Sequence, residues 1–152
     1  MQSSSGSGGL LHIVVVQAEL TRDVETFGKQ DPYVKITYLG TPYKTRVHND
    51  GGKRPVWNQA FDFQIGSISD EIHLEVKDDD VIGAEMIGQA TIKASSLCIN
   101  NGVRDWFTVE YKNKSAGKIL LDTKFTPTNK PAATMQPMGM PPPGMPYGVS
   151  GY

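Results

Sequence analysis

Apolar residues in this chain recur at every second position rather than every third or fourth, and that period limits what it can fold into. Leu11, Ile13 and Val15 fall on one side of an extended segment. Ile72, Leu74 and Val76 fall on one side of another, with Glu71, His73, Glu75 and Lys77 on the opposite side. Successive side chains of a strand point to opposite faces, so the pattern describes strands buried on one face and wet on the other, the habit of antiparallel sheet. No window sustains the i, i+3, i+4 spacing of a helix. Further candidate strands run from Tyr33 to Leu39, Tyr43 to Val47, Gln59 to Phe63, Met86 to Ile92, Trp106 to Glu110 and Lys118 to Phe125, which brings the number to eight. Gly40 with Pro42, and the run Asp50-Gly51-Gly52-Lys53-Arg54-Pro55, mark turns between them. Short strands at such intervals predict a β-sandwich or barrel. The Ser95 to Asn101 stretch, closed by Gly102, is a longer crossing segment that can hold a helical turn.

The two ends differ in texture from the middle. Residues Met1 to Gly9 are mostly Ser and Gly, a flexible leader with almost nothing to bury. From Pro127 to Tyr152 prolines alternate with Met and Gly, and Lys130 is the only charged side chain. Such a segment cannot offset the entropy of ordering and is expected to be disordered with polyproline-II character. It serves either as a solubilising tail or as a docking peptide for a protein partner, for which Tyr147 and Tyr152 suit an aromatic-lined groove. One domain is therefore predicted over 10–126, and roughly 120 residues suffice for a single core.

Charge excludes some functions. The 152 residues carry 15 Lys plus Arg against 16 Asp plus Glu, a net charge of -1, so there is no general attraction to nucleic acid. Cys98 is the single cysteine and cannot close an internal disulfide, which suits a reducing, cytoplasmic setting. His12, His48 and His73 stand apart from any nucleophile and carboxylate pattern, so catalysis finds no support; Trp57 and Trp106 are expected in the core.

The acidic residues are the chemical question. Asp78, Asp79 and Asp80 end the alternating run that begins at Glu71, and Asp31 opens the strand Asp31-Pro32-Tyr33-Val34-Lys35. Carboxylates gathered at strand ends, with only Lys77 and Lys35 as basic residues in the two runs, either repel one another as a solvated loop or hold a cation. The segment Gly28-Lys29-Gln30-Asp31-Pro32-Tyr33-Val34 resembles the Gly-Lys-x-Asp-Pro-Tyr-Val signature of C2 domains. Lys44-Thr45-Arg46 resembles the family's basic strand, and Pro55-Val56-Trp57-Asn58 resembles its Asn-Pro-x-Trp-Asn turn. Asp78-Asp79-Asp80 followed by Glu85-Met86-Ile87-Gly88 resembles its third acidic loop. With Gly117-Lys118-Ile119-Leu120 coming last, the order is similar to the circularly permuted, type II topology of the family.

The resemblance implies an eight-stranded antiparallel sandwich in two sheets and a calcium (Ca2+) site at one end of it. Calcium takes six to eight oxygen ligands, which loops can supply without a helix. The family's acidic positions fall on Glu25, Asp31, Asp78, Asp80 and Glu85, with Asp23 able to replace Glu25 if the loop shifts. An ion there would let the acidic rim share a lipid phosphate, and the adjacent aliphatics Val81 and Ile82 could then enter an anionic phospholipid membrane. Tyr33, Lys35, Lys44 and Arg46 alternate along two neighbouring strands, so they can form one basic face. The matching positions in the family resemble a phosphoinositide headgroup site. The implied function is reversible, peripheral docking on phosphatidylserine-type membranes when calcium rises. The rival is a calcium-independent protein-interaction module that uses the basic face or the tail.

Overall fold

The computed structural model describes residues 8–25, 28–80 and 83–128. Among them eight strands are present: β1 (Gly9–Leu20), β2 (Pro32–Tyr38), β3 (Thr41–Lys44), β4 (Val56–Ile65), β5 (Glu71–Asp80), β6 (Gly83–Lys93), β7 (Arg104–Tyr111) and β8 (Lys114–Pro127). The crossing segment holds a short helix, α1 (Ala94–Cys98), and a 3-10 turn. All pairings are antiparallel, in the order β3-β2-β5-β6-β7-β8-β1-β4. The eight strands form one curled sheet rather than two separate ones, because β6 and β7 share a single rung, Gln89 with Glu110. At that seam the sheet folds back on itself and gives two four-stranded layers. Gly88 sits where they meet, and a Cβ there would lie 3.0 Å from Ala116 and Val109 side chains.

The alternation read from sequence faces inward. Leu11, Ile13 and Val15 of β1, Val34 and Ile36 of β2, Ile72, Leu74 and Val76 of β5, and Ile119 and Leu121 of β8 are fully buried in one core. Each contributes about 1.5–3 kcal/mol relative to an exposed side chain. A bulge between Val15 and Gln17 shifts the phase of β1, which is why Ala18 and Leu20, on the other parity, are also inside. The free edges of the sheet close on each other through aromatic rings: Tyr43 of β3 meets Phe63 of β4 edge-on at 4.8 Å, and Tyr38 meets Phe63 at 6.2 Å.

Two expectations shift. β3 ends at Lys44 instead of running to Val47, because Thr45 turns inward. Its hydroxyl accepts the Val34 N–H at 2.9 Å and donates to the Arg46 carbonyl at 2.8 Å. Trp57 is in the core as predicted, but Trp106 lies opposite core-packed Phe107 on the outer face of β7, half-buried with the Lys118 ammonium 4.8 Å from its ring.

A candidate cation site at the loop end

Four connections meet at one end of the molecule. The β1–β2 loop starts after Leu20, where Thr21 N–H bonds to Ala116 O at 2.9 Å, so the β7–β8 hairpin flanks it. The β3–β4 loop packs against the same place: Leu20 N–H donates to Lys53 O, and Gly52 N–H to Gln30 O. The β5–β6 hairpin completes the rim, with Pro32 opposite Asp78 and Asp78 opposite Glu85.

Asp78 is the centre of the rim and is fully buried. Its Oδ1 accepts the Asp31 N–H at 2.6 Å, and the Asp31 carbonyl in turn accepts the Asp79 N–H at 3.0 Å, so the two acidic segments are stitched directly together. Asp31 is fixed from the other side by the Asp50 N–H, which reaches its Oδ1 at 2.7 Å. A residue that sequence reasoning missed holds the loops in place. Gln30, fully buried, accepts the Val24 N–H at 3.1 Å and donates to the Arg22 and Gly52 carbonyls at 3.0 and 2.9 Å. Nothing in a Gln beside an Asp in a polar loop marks it as buried; its role is visible only once the β1–β2 and β3–β4 loops are seen to meet around it.

The electrostatics of the rim are those of crowded acids. Asp78 Oδ2 is buried without a hydrogen-bond donor. The Asp78 carboxylate also shares a hydrogen bond with another carboxyl, Glu25, and two carboxyls do so only if one keeps its proton. The Glu25 carboxyl is accordingly raised from its ordinary 4.5 to about 7, first by that hydrogen bond to Asp78, then by the Asp78 charge, with burial and the charges of Asp80 and Asp31 adding to it. Asp31, Asp78, Asp80 and Glu25 thus feel one another, and the register brings Glu85 across from Asp78. Among the described residues no three such side chains close into a ligand cluster in this arrangement. A buried carboxylate oxygen with no donor, in an all-oxygen acidic set, nonetheless fits a hard divalent cation. Asp23 does not take Glu25's place here; its Oδ1 accepts the Glu25 N–H at 2.9 Å and shapes the loop. Val81 and Ile82, the predicted membrane-entering pair, lie outside the described residues.

The basic face is only partly as expected. Tyr33 and Lys35 of β2 and Lys44 of β3 share the outer face, with the Lys44 ammonium 5.8 Å from the Tyr33 ring and Lys35 opposite Lys44. Arg46 does not join them, because it lies past the end of β3: its guanidinium donates to Trp57 O and its N–H to Gln59 Oε1 at 2.8 Å, tying the β3–β4 loop to β4. In its stead Lys77, opposite Tyr33, supplies a third cation. Glu75 interrupts the patch, 3.9 Å from Lys35. Tyr33 is kept a neutral phenol by burial and by the Asp79 and Glu75 charges, which raise it.

The curled eight-stranded sheet, its loop-end acids and the order of its motifs define a class of protein that comparison makes explicit. Residues 9–109 match the C2 domain family, and the chain belongs to it. It is similar to synaptotagmin-5 of Arabidopsis thaliana, 34% identical over 120 residues that make up 77% of this chain and 21% of that protein. The chain therefore spans about a fifth of that relative's length. It is also similar to elicitor-responsive protein 1 of Oryza sativa subsp. japonica, 32% identical over 142 residues, covering 83% of this chain and 89% of the relative. A solved C2 domain-containing protein, 27% identical, superposes with a TM-score of 0.70 over 88% of this chain and 99% of its own.

Proposed function

We propose that the chain is a non-catalytic module that takes up calcium between Glu25, Asp31, Asp78, Asp80 and Glu85 and thereby docks, reversibly, on anionic phospholipid from the cytoplasmic side. The observation that carries this is Asp78: a fully buried carboxylate with one oxygen satisfied by the Asp31 N–H and the other without a donor. The same crowding raises Glu25 to about 7, so without a cation the acids favour a proton on it. A bound calcium would supply the positive charge that the acids lack and could share a lipid phosphate as a further ligand. The chain's own contribution is to hold the acids at fixed spacing through Gln30, Asp50 and the Pro32–Asp78 register, at the cost of their mutual repulsion. Tyr33, Lys35, Lys44 and Lys77 add a second, salt-sensitive contact, worth about 1 kcal/mol for each basic residue near an anionic surface.

Co-sedimentation with phosphatidylserine vesicles tests the membrane step. Protein is expected in the pellet with calcium and in the supernatant with chelator. Calcium-indifferent pelleting that disappears with Lys44→Glu would instead assign membrane binding to the basic face, and no pelleting under either condition would favour the calcium-independent protein-interaction module, a reading supported by the absence of a closed acidic cluster among the described residues. The Pro-rich tail, as the docking peptide for a protein partner, belongs to that second reading and lies outside the described residues.

A further inference from the structure

Beside the acidic rim the structure assembles a cluster of opposite sign. Arg22, the second residue of the β1–β2 loop, lies with its guanidinium carbon 3.6 Å from the centroid of the Tyr111 ring. Stacking on an aromatic face holds a guanidinium flat and leaves its donor edge free for planar or tetrahedral oxyanions. Tyr111 ends β7, and the connection to β8 is a two-residue turn, Lys112 and Asn113, both with positive φ (52° and 67°), the geometry of the tightest hairpins. The turn brings Lys112 to 5.3 Å from the same ring, and Lys114 follows directly. A cavity of about 260 Å³ lies between them, lined by Thr21, Arg22, Tyr111, Lys114, Ser115 and Ala116.

Two observations point to a missing anion. Arg22 Nε is buried without an acceptor, a donor that would ordinarily be paired. The ion pairs among the described residues take up Lys35, Arg104 and Lys118, and none engages Arg22, Lys112 or Lys114. The nearby acids line other clefts: Glu110 one that it shares with Tyr111 and Lys112, Glu19 one where it pairs with Lys118, and Asp23 one with Lys29, Lys53 and Arg54. Two cations, Arg22 and Lys114, with two hydroxyls, from Thr21 and Ser115, and no carboxylate line the cavity, and Lys112 stands beside it on the same ring; this is a setting for a doubly charged tetrahedral group.

We propose that this cavity binds a phosphate monoester, with Arg22 and Lys114 as charged donors, Lys112 as a field charge and Tyr111 as the platform that orients Arg22. The site needs no cation, so it stands or falls separately from the calcium site a loop away.

Inorganic phosphate titrated into the isotopically labelled full chain, in chelator and low salt, is the direct probe. The Arg22 Nε–H and the amides of Tyr111 to Ser115 are expected to shift saturably. Arg22→Gln is expected to weaken the response about tenfold and Lys114→Gln by a similar factor, as loss of one charge-assisted bond does. Because Lys114 is exposed on the hairpin, its variant tests the site even if Arg22→Gln disturbs the loop. Vesicles of phosphatidylcholine with and without phosphatidic acid, again in chelator, identify the source. Pelleting only with phosphatidic acid, lost in both variants, assigns a lipid headgroup; phosphate response without pelleting assigns a soluble phosphate ester. Absence of a saturable shift, or a shift that neither variant alters, would overturn the proposal.

Discussion

The rim around Asp78 and the outer face around Tyr33 both gather charge on neighbouring strands, yet they solve the electrostatic problem in opposite ways. On the outer face the cations are partly exposed and locally balanced: Lys35 has Glu75, and Lys44 rests near the Tyr33 ring. Among the described residues no atom of that face is buried and unpaired, and Lys35 and Glu75 stay partly exposed while they pair. At the rim a carboxylate is fully buried, crowded by Glu25, and one of its oxygens has no donor. A fold tolerates that only if something else completes it, whereas a balanced surface patch asks for nothing. Burial without satisfaction, more than charge density, separates the rim from an ordinary solvated face.

The contrast can be broken most severely through Gln30. Gln30→Ala removes three hydrogen bonds and opens a void, an expected loss of about 3 kcal/mol and roughly 10 °C in melting temperature. Calcium response should vanish with it, while vesicle binding through the outer face persists in low salt. Asp78→Asn is milder for the fold, because the amide keeps an acceptor for the Asp31 N–H and gains a donor toward Glu25. Calcium affinity should fall at least about a hundredfold while the metal-free melting temperature holds or rises; a lower metal-free stability would mean that Asp78 is not strained. Lys44→Glu and Arg46→Glu sharpen the other half of the comparison. Lys44→Glu should weaken vesicle binding about fivefold at low salt and leave stability alone. Arg46→Glu should lower stability instead, since Arg46 is engaged with Trp57 and Gln59. The smallest effect is the pH dependence. Because Glu25 is raised from 4.5 to about 7 in the fold, the folded state binds more protons across that window. Stability without metal should therefore fall as pH rises through it, and calcium should abolish the slope.

The strands were legible because period two is imposed by the pleat and survives in any half-buried sheet; Ile72, Leu74 and Val76 need no tertiary knowledge to be placed inward. The acidic positions Asp31 and Asp78 came from motif resemblance, and the register that joins them follows once β2 and β5 pair. What stayed hidden depends on contacts between distant segments. Arg46 reads as the next outward residue of a strand until Thr45 is seen to turn inward and end it. Trp106 reads as core by size alone, although its parity with Phe107 sends it outward. Gln30 and the Arg22–Tyr111 stack join loops far apart in sequence, and no local pattern encodes either. The single rung at Gln89 is equally silent, so one curled sheet and two separate sheets share the same sequence signature.

Calcium titration of the isotopically labelled chain, followed through the amides of Asp31, Asp78 and Asp79 and through thermal unfolding, tests the central claim most directly. Saturable shifts confined to the rim, with a gain of about 3 kcal/mol, or roughly 10 °C, at a hundredfold excess over the dissociation constant, are the expected result. Unmoved amides and an unchanged melting temperature at millimolar calcium would contradict it.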